Sequence, residues 1–509
     1  MARMGVKLWT ALLLAAFMCL NASCALCCTS IYVGSDLTED GSTIFGRSED
    51  ASNSYNKLYY VSPAGNHKAG EAYKGCYGFE YEFRRDSYAY TAFSDDNREG
   101  VGGVCPDCGG THAHTPYEAA GTNEMGVTVS ATETLHGSAE VCAVDPYADA
   151  GIEEAEIVTV LLSESSSARE AVELLLSIYD GAGCAGGAGL FIADDSEAWY
   201  IENLTGHQYM ALKLNPTLVF VEPNMSIIGL IDLDDSDNVI ASKGIIETAQ
   251  QAGTFVGDIE ANTIDFTASY NAGQTANSRM VSALNYLQSE APDEPEAADY
   301  AITNVDADGN IVPLNTAIMT DKLAISDVVD FYAIDGIGNA RNLETHVFQV
   351  FGEDGPTDTV EWVAMDDGRY NVFVPYYPML TTDTYAGYQL STAVATYEAE
   401  LPEGATGYLD NADEPSYCVL PDNWYDSMYW SLDALSNIME TGDISDEQRA
   451  RVKQELNELQ DACYDAYAEL KAAVAAADEA TAARTATDIS AQTAAEVHAA
   501  VVQLVNEIR

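Results

Sequence analysis

Short stretches of alternating apolar and polar residues run through most of the chain, and a helical period replaces them near its C-terminus. Thr-Ser-Ile-Tyr-Val-Gly after Cys28, the turn Asp40-Gly41, and Ser42 to Arg47 predict a β-hairpin that begins at Cys28. Residues 51–118 are rich in Tyr, Gly and charge and keep no period, which predicts irregular loops and short strands. Gly126 to Thr132 reads as a strand, and Ser167 to Tyr179 as an amphipathic helix with Ala171, Leu174, Leu175 and Ile178 on one face. Leu190 to Glu202 reads as two strands around Asp194-Asp195, Thr217 to Glu222 as another, and Arg279 to Leu287 as a helix. Helices interspersed among strands without regular βαβ spacing point to an α+β fold.

The pattern changes near residue 426. Tyr429, Leu432 and Leu435 lead to a break at Thr441-Gly-Asp, and Ser445-x-x-Gln448 is a capping box that opens a long helix. Val452, Leu456, Leu459, Cys463, Ala466, Leu470 and Ala473 alternate spacings of four and three, a heptad seam, and an Ala-rich helix runs from about Ile489 to Ile508. A helical hairpin docked on the body accounts for this segment, and a homo-oligomer joined through the same helices is the alternative.

Charge narrows the partners. Against 81 Asp+Glu stand 22 Lys+Arg, a formal net charge of −59, which repels phosphate backbones and excludes nucleic acid as a partner. Arg3 and Lys7 precede the apolar run Leu8 to Leu20, and Ala25 and Cys27 suit a cut before Cys28. Residues 1–27 therefore read as a signal peptide, 28–425 as the main domain and 426–509 as a C-terminal helical segment, in a protein that is secreted or cell-surface associated. Of 11 cysteines, seven lie well inside the chain, and an odd number suggests a functional thiol.

A cut before Cys28 would create one residue holding both nucleophile and base. An α-amino group titrates at about 7.7–8, so near neutrality a useful fraction is unprotonated within reach of its own side chain. Such a thiol needs positive charge nearby, and Arg47 ends the hairpin that Cys28 begins, in Gly46-Arg47-Ser48-Glu49-Asp50. A plain pairing of Arg47 with Asp50 at a strand end fits the same residues.

Cys28-Thr-Ser-Ile-Tyr-Val-Gly34, Asp40-Gly-Ser-Thr43 and Arg47-x-Glu-Asp50 resemble the N-terminus of the bacterial cysteine dipeptidases of the PepD type, N-terminal-nucleophile hydrolases related to the choloylglycine and penicillin V acylases. Gly121-Thr-Asn123 through Glu133, Glu197 to Glu202, Asn277-Ser-Arg279, Glu361-Trp-Val-Ala and Val372-Phe-Val-Pro375 resemble later segments of that family, in order. The resemblance implies a four-layer αββα sandwich with the N-terminal strand central. It implies an exported cysteine dipeptidase that cleaves small peptide substrates through a thioester on Cys28. Arg47 would sit near the thiolate, Asp50 would hold the α-amino group, Asn123 would lie at the oxyanion site and Arg279 would line the pocket. A second asparagine of the related acylases is matched poorly by Asn224 in Val221-Glu-Pro-Asn224. Either asparagine could serve instead as a turn residue. An acyl-amide hydrolase of bile-salt or penicillin V type keeps the same mechanism, and a non-catalytic surface protein on the same fold, lipidated at Cys24, would lack the amino base.

Three further motifs have simpler readings. Cys105-x-x-Cys108 with His112-x-His114 crowds four zinc-type ligands into too short a stretch to close a tetrahedron readily. Gly181-x-Gly183-x-x-Gly186 follows a helix and precedes a strand, the reverse of dinucleotide-binding order. Asn304-Val-Asp306-Ala-Asp308-Gly309 lacks the closing Glu of a calcium loop. No metal or cofactor is expected.

Overall fold

A computed structural model describes residues 28–50, 56–75, 78–96, 116–271, 277–287, 303–319, 321–352, 355, 357–390, 423–442 and 444–508. Strand alternation puts Cys28, Ser30 and Tyr32 on one side of the first strand and Phe45, Arg47 and Glu49 on one side of the second. Thr29–Val33 and Thr43–Asp50 pair antiparallel, Tyr32 opposite Phe45 and Ser30 opposite Arg47, which is the expected hairpin. They belong to a six-stranded sheet ordered Val219–Glu222, Thr29–Val33, Thr43–Asp50, Asn342–Val350, Thr359–Met365, Val374–Tyr376. The N-terminal strand is thus second from an edge and not central. Val219–Glu222 is the one strand outside it, and Pro223, with no N–H for a ladder, follows its last residue.

An eight-stranded sheet lies against the first, from Val239–Ala241 at one edge through Gly187–Ala193 and Thr128–Leu135 to Lys57–Ser62 at the other. The layer between the sheets is graded. At one end Tyr32 and Phe45 stack on Phe191 at 6.3 and 5.6 Å, and Phe220 and Phe348 complete an aromatic block. One strand pair toward Cys28 the same faces carry Arg47 and His346, and His346 meets Ser130 of the opposite sheet. Gly46 permits this register, because a Cβ there would lie 2.5 Å from the carbonyl oxygen of His346.

Helices cover both outer faces. Glu154–Glu164 and Ala168–Gly181 bury Ile157, Val158, Leu161 and Leu175 against Val129, Leu190, Trp199 and Ile201 of the eight-stranded sheet. Ser278–Leu287, Ile325–Tyr332 and the C-terminal helices cover the six-stranded sheet, where Trp362 meets Tyr464 and Tyr467 edge-on at 5.6 and 5.3 Å. The result is the α+β, four-layer αββα sandwich that the resemblance implies.

The C-terminal segment holds three helices, Met428–Thr441, Asp446–Ala476 and Glu479–Ile508, and the capping box of Ser445 and Gln448 opens the second. The third starts earlier than apolar spacing suggests, because its first turns are carried by alanine, the best helix former. Val452, Leu456, Cys463 and Leu470 are buried in the same core as Trp362 and Val374. These four seam positions therefore pack within the chain, while Leu459, Ala466 and Ala473 are half-buried. The same hydrophobic core holds Tyr388 and Trp424 before residue 425 and Met428 and Leu432 after it.

Two strong elements were not legible. Asn342–Val350 mixes five polar residues with four apolar ones, as a half-exposed strand would, yet all nine of its residues are buried. Glu154–Glu164 is also fully buried and so shows no amphipathic stripe. Gly183, at φ 77°, lies in a helix-to-strand loop, and the Asp306 carboxylate closes its turn by accepting from the backbone of Asp308 and Asn310. Cys105, Cys108, His112 and His114 lie outside the described residues.

Candidate active site

Cys28 stands at the head of the first strand and is 4% exposed. Arg47, fully buried on the neighbouring strand, points Nη1 at the Cys28 Sγ at 3.7 Å and donates through the same nitrogen to Glu154 Oε1 at 2.9 Å. Its Nη2 lies 3.7 Å from Glu49 and 3.9 Å from Glu344. Lys57 pairs with Glu49 at 2.7 Å and with Asp95. Burial works to raise Glu49, but Lys57 and Arg47 outweigh it and hold the carboxyl below its ordinary value.

The thiol is in the opposite position. Burial pushes Cys28 up to about 12; Arg47 pulls it down, but Glu154, Asp50 and Glu49 push it up again. One arginine therefore does not make a thiolate here, and ionisation needs another cation or a base that takes the proton.

Arg279 grips the backbone of the same residue. Its Nη1 donates to the Cys28 carbonyl at 2.7 Å and to Thr29 Oγ1 at 3.1 Å, and it lies 4.0 Å from Asp50 Oδ2. Asp50 accepts from Asn342 and, at 3.3 Å, from Asn339. Burial raises Asp50 to about 7 despite Arg279 and these amides. Cys28, Arg47, Asp50 and Arg279 thus converge, from positions up to 251 residues apart.

Asn224 follows the strand that flanks Thr29–Val33. Ser30 faces Glu222, the last residue of that strand, and Arg279, which holds the Cys28 carbonyl, and Asn277 both donate to the Pro223 carbonyl. Asn224 is left-handed, at φ 59°. The corner is held by buried carboxyls the sequence reading overlooked. Glu222 accepts from the backbone N–H groups of Asn224 and Met225, and Glu202 accepts from Ser226, from Ile227 N–H and from Tyr200.

Asn123 is not at this site. Its side-chain nitrogen donates to Leu162 O and Ser165 O at 2.9 and 2.8 Å, and its oxygen accepts from Met125 and Val127 N–H, both at 3.0 Å. Both donors are spent on the end of one helix and the oxygen on its own turn, so nothing is left for an oxyanion. The turn role wins because Asn123 and Gly126 close the bend between Glu118–Thr122 and Thr128–Leu135.

His346 lies close by without facing a substrate. Ser130 Oγ is 2.8 Å from Nε2 and Glu344 is 3.0 Å from Nδ1, all three residues at most 2% exposed. Burial lowers His346, so the ring is neutral, and these partners assign Nδ1 as donor to Glu344 and Nε2 as acceptor from Ser130. It is a sealed hydrogen-bond chain beside Arg47.

Burial raises Asp50, Glu202 and Glu361 to about 7 and Glu222 to about 8. These folded values exceed those of unfolded carboxyls, near 4, so the folded protein holds protons the unfolded chain has already lost. Stability from these protons is lost as pH rises through 7 to 8. Between pH 7 and 9 Tm should fall, about 1 kcal/mol of the loss coming from Glu222. Glu222→Gln, which keeps an accepting oxygen for Asn224 and Met225, should flatten the decline. Melting curves with equal slopes for the two proteins would refute this account of Glu222.

An αββα sandwich with a buried thiol and an arginine at the head of its first hairpin has the layout of a cysteine-type peptidase. The model of peptidase family C69 matches residues 27–400, and the chain belongs to that family. "Probable dipeptidase B" of Streptococcus pyogenes serotype M18 is 29% identical over 393 residues, covering 72% of this chain and 75% of the relative. "Probable dipeptidase" of Latilactobacillus sakei is 32% identical over 277 residues, 53% of this chain and 55% of the relative. Among solved structures, penicillin V acylase from Agrobacterium tumefaciens aligns with a TM-score of 0.31 and 14% identity, over 68% of this chain and 86% of that one.

Proposed function

We propose that the protein is an exported dipeptidase whose mature chain begins at Cys28. The observation that carries this reading is the 3.7 Å contact of Arg47 with a thiol at the head of the strand, in a chain of family C69 with dipeptidases among its relatives. Cleavage before Cys28 replaces an amide nitrogen by an amine, the base that a thiol near 12 requires.

In the reaction the Cys28 Sγ proton passes to the α-amino nitrogen, and the sulfur attacks the substrate carbonyl carbon. Asp50 holds the resulting ammonium, and the Asn224 corner serves the oxyanion. Collapse breaks the carbon–nitrogen bond, the departing amine takes the proton, and the acyl group remains as a thioester. Water then gives a proton to the Cys28 α-amino nitrogen and attacks the thioester, and as the acid leaves, that nitrogen returns the proton to sulfur and restores the thiol. Arg279 fixes the Cys28 carbonyl throughout, so the nucleophile cannot swing away from its own base.

A panel of unblocked dipeptides assayed beside conjugated bile salts and phenoxyacetyl amides tests the substrate class. Turnover of dipeptides is expected, by a protein whose measured mass places Cys28 first. Hydrolysis of the bile salts or phenoxyacetyl amides alone would overturn the dipeptidase reading, and a retained, blocked residue before Cys28 in active protein would overturn the mechanism.

A further inference from the structure

Of the charged side chains around Arg47, Glu154 has the most suggestive place. It opens the helix Glu154–Glu164, and its side chain keeps 8% of its surface accessible, whereas those of Arg47 and Glu344 keep 1% and none. Its Oε1 takes Arg47 Nη1 and its Oε2 takes the Tyr117 hydroxyl at 2.9 Å. A single nitrogen, Arg47 Nη1, touches both Glu154 and the Cys28 sulfur, so the carboxylate lies within two contacts of the reacting atom.

We infer that Glu154 receives the free α-ammonium of the substrate, which makes the enzyme selective for peptides with an unblocked N-terminus. This rests on the dipeptidase function proposed above. In such a peptide the amino nitrogen is only two bonds, roughly 2.5 Å, from the carbonyl carbon under attack. With that carbon about 3–3.5 Å from Sγ, the ammonium must lie within about 6 Å of the sulfur. Arg47 Nη1 lies 3.7 Å from Sγ and 2.9 Å from Glu154 Oε1, so an ammonium in that range on the Arg47 side of Cys28 comes within reach of the Glu154 carboxylate.

Charge balance points the same way. Among the described residues, the ion pairs of Arg47 and Lys57 involve two cations and four carboxylates: Glu49, Asp95, Glu154 and Glu344. Glu49 and Asp95 are paired with Lys57, and Glu344 is sealed from solvent. A mostly buried carboxylate is stabilised by a cation that reaches it, and disfavours a neutral acyl group that would cover it without adding charge. A zwitterionic dipeptide brings its ammonium to the acidic side of the thiol, whereas an N-acylated peptide brings an amide.

The test uses the mature enzyme with one dipeptide and its N-acetyl derivative. Wild type should favour the unblocked peptide by about 100-fold in kcat/KM, the scale of a desolvated ion pair, and mainly through KM. Glu154→Gln should bring that ratio close to one. Equal losses on both substrates would make Glu154 a support for Arg47 only and overturn the inference, as would a wild type indifferent to acetylation, a measurement that stands even if the variant fails to fold. A wild type that cleaves neither peptide but retains bile-salt or phenoxyacetyl-amide hydrolysis would instead remove the dipeptidase function beneath it.

Discussion

Cys28→Ala should lower dipeptide turnover by on the order of 10⁴ to 10⁶, the scale seen when a nucleophile is removed from a machinery that acts as a unit. The substitution removes only a sulfur from a residue whose backbone is held by Arg279 and by pairing on either side of Thr29–Val33, so folding and substrate binding should persist. Cys28→Ser should recover little, because a hydroxyl is less acidic than a thiol, and the burial that pushes the thiol up to about 12, reinforced by Glu154, Asp50 and Glu49, discourages any anion there. A correctly folded Cys28→Ala protein with substantial peptidase activity would show that another group carries the reaction.

Retention of even one residue before Cys28 should be nearly as damaging, while leaving the thiol chemically intact. The α-amino group becomes an amide with no basicity, and only about one thiol in 10⁵ is ionised at pH 7 when its value is near 12. Loss of a positioned general base is worth typically 10² to 10⁴ in rate. The comparison is made between protein cut before Cys28 and protein carrying an uncleavable extension, with melting temperature as the control for folding. A histidine-assisted cysteine enzyme would tolerate the extension. Among the described residues the histidine nearest this chemistry, His346, is buried and committed to Ser130 and Glu344, so it offers no substitute base. Equal activity of the two forms would exclude the N-terminal amine from the mechanism.

The parts of the site that were legible in the sequence lie on the first hairpin. Cys28, Arg47 and Asp50 sit at fixed separations on two strands joined through residues 34–42, and strand alternation alone brings the first two to one face. Arg279 came from an ordered motif and not from spacing. Asn123 was misread because a short Asn-Glu-Met-Gly turn offers an asparagine that looks available until its four backbone partners are seen. Glu154 left no signal, since nothing in an acidic helix start reveals that it will meet an arginine 107 residues earlier. Asn342, Glu344 and His346 hid for the opposite reason. Polar residues at alternate strand positions normally face water, but here Glu344 and His346 face the ionic end of the layer between two sheets and Asn342 is spent on Asp50.

The strand that Cys28 heads pairs with residues 219–222, its hairpin partner pairs with residues 342–350, and helices beyond residue 428 close the outer face of that sheet. None of these partners exists when the N-terminal strand emerges from the ribosome, and contacts so distant along the chain form late. During synthesis Cys28 is an ordinary thiol on an unfolded polymer, without arginine, anchored carbonyl or acidic pocket. The arginine, the anchored carbonyl and the carboxylates around Cys28 therefore come together only in the finished molecule.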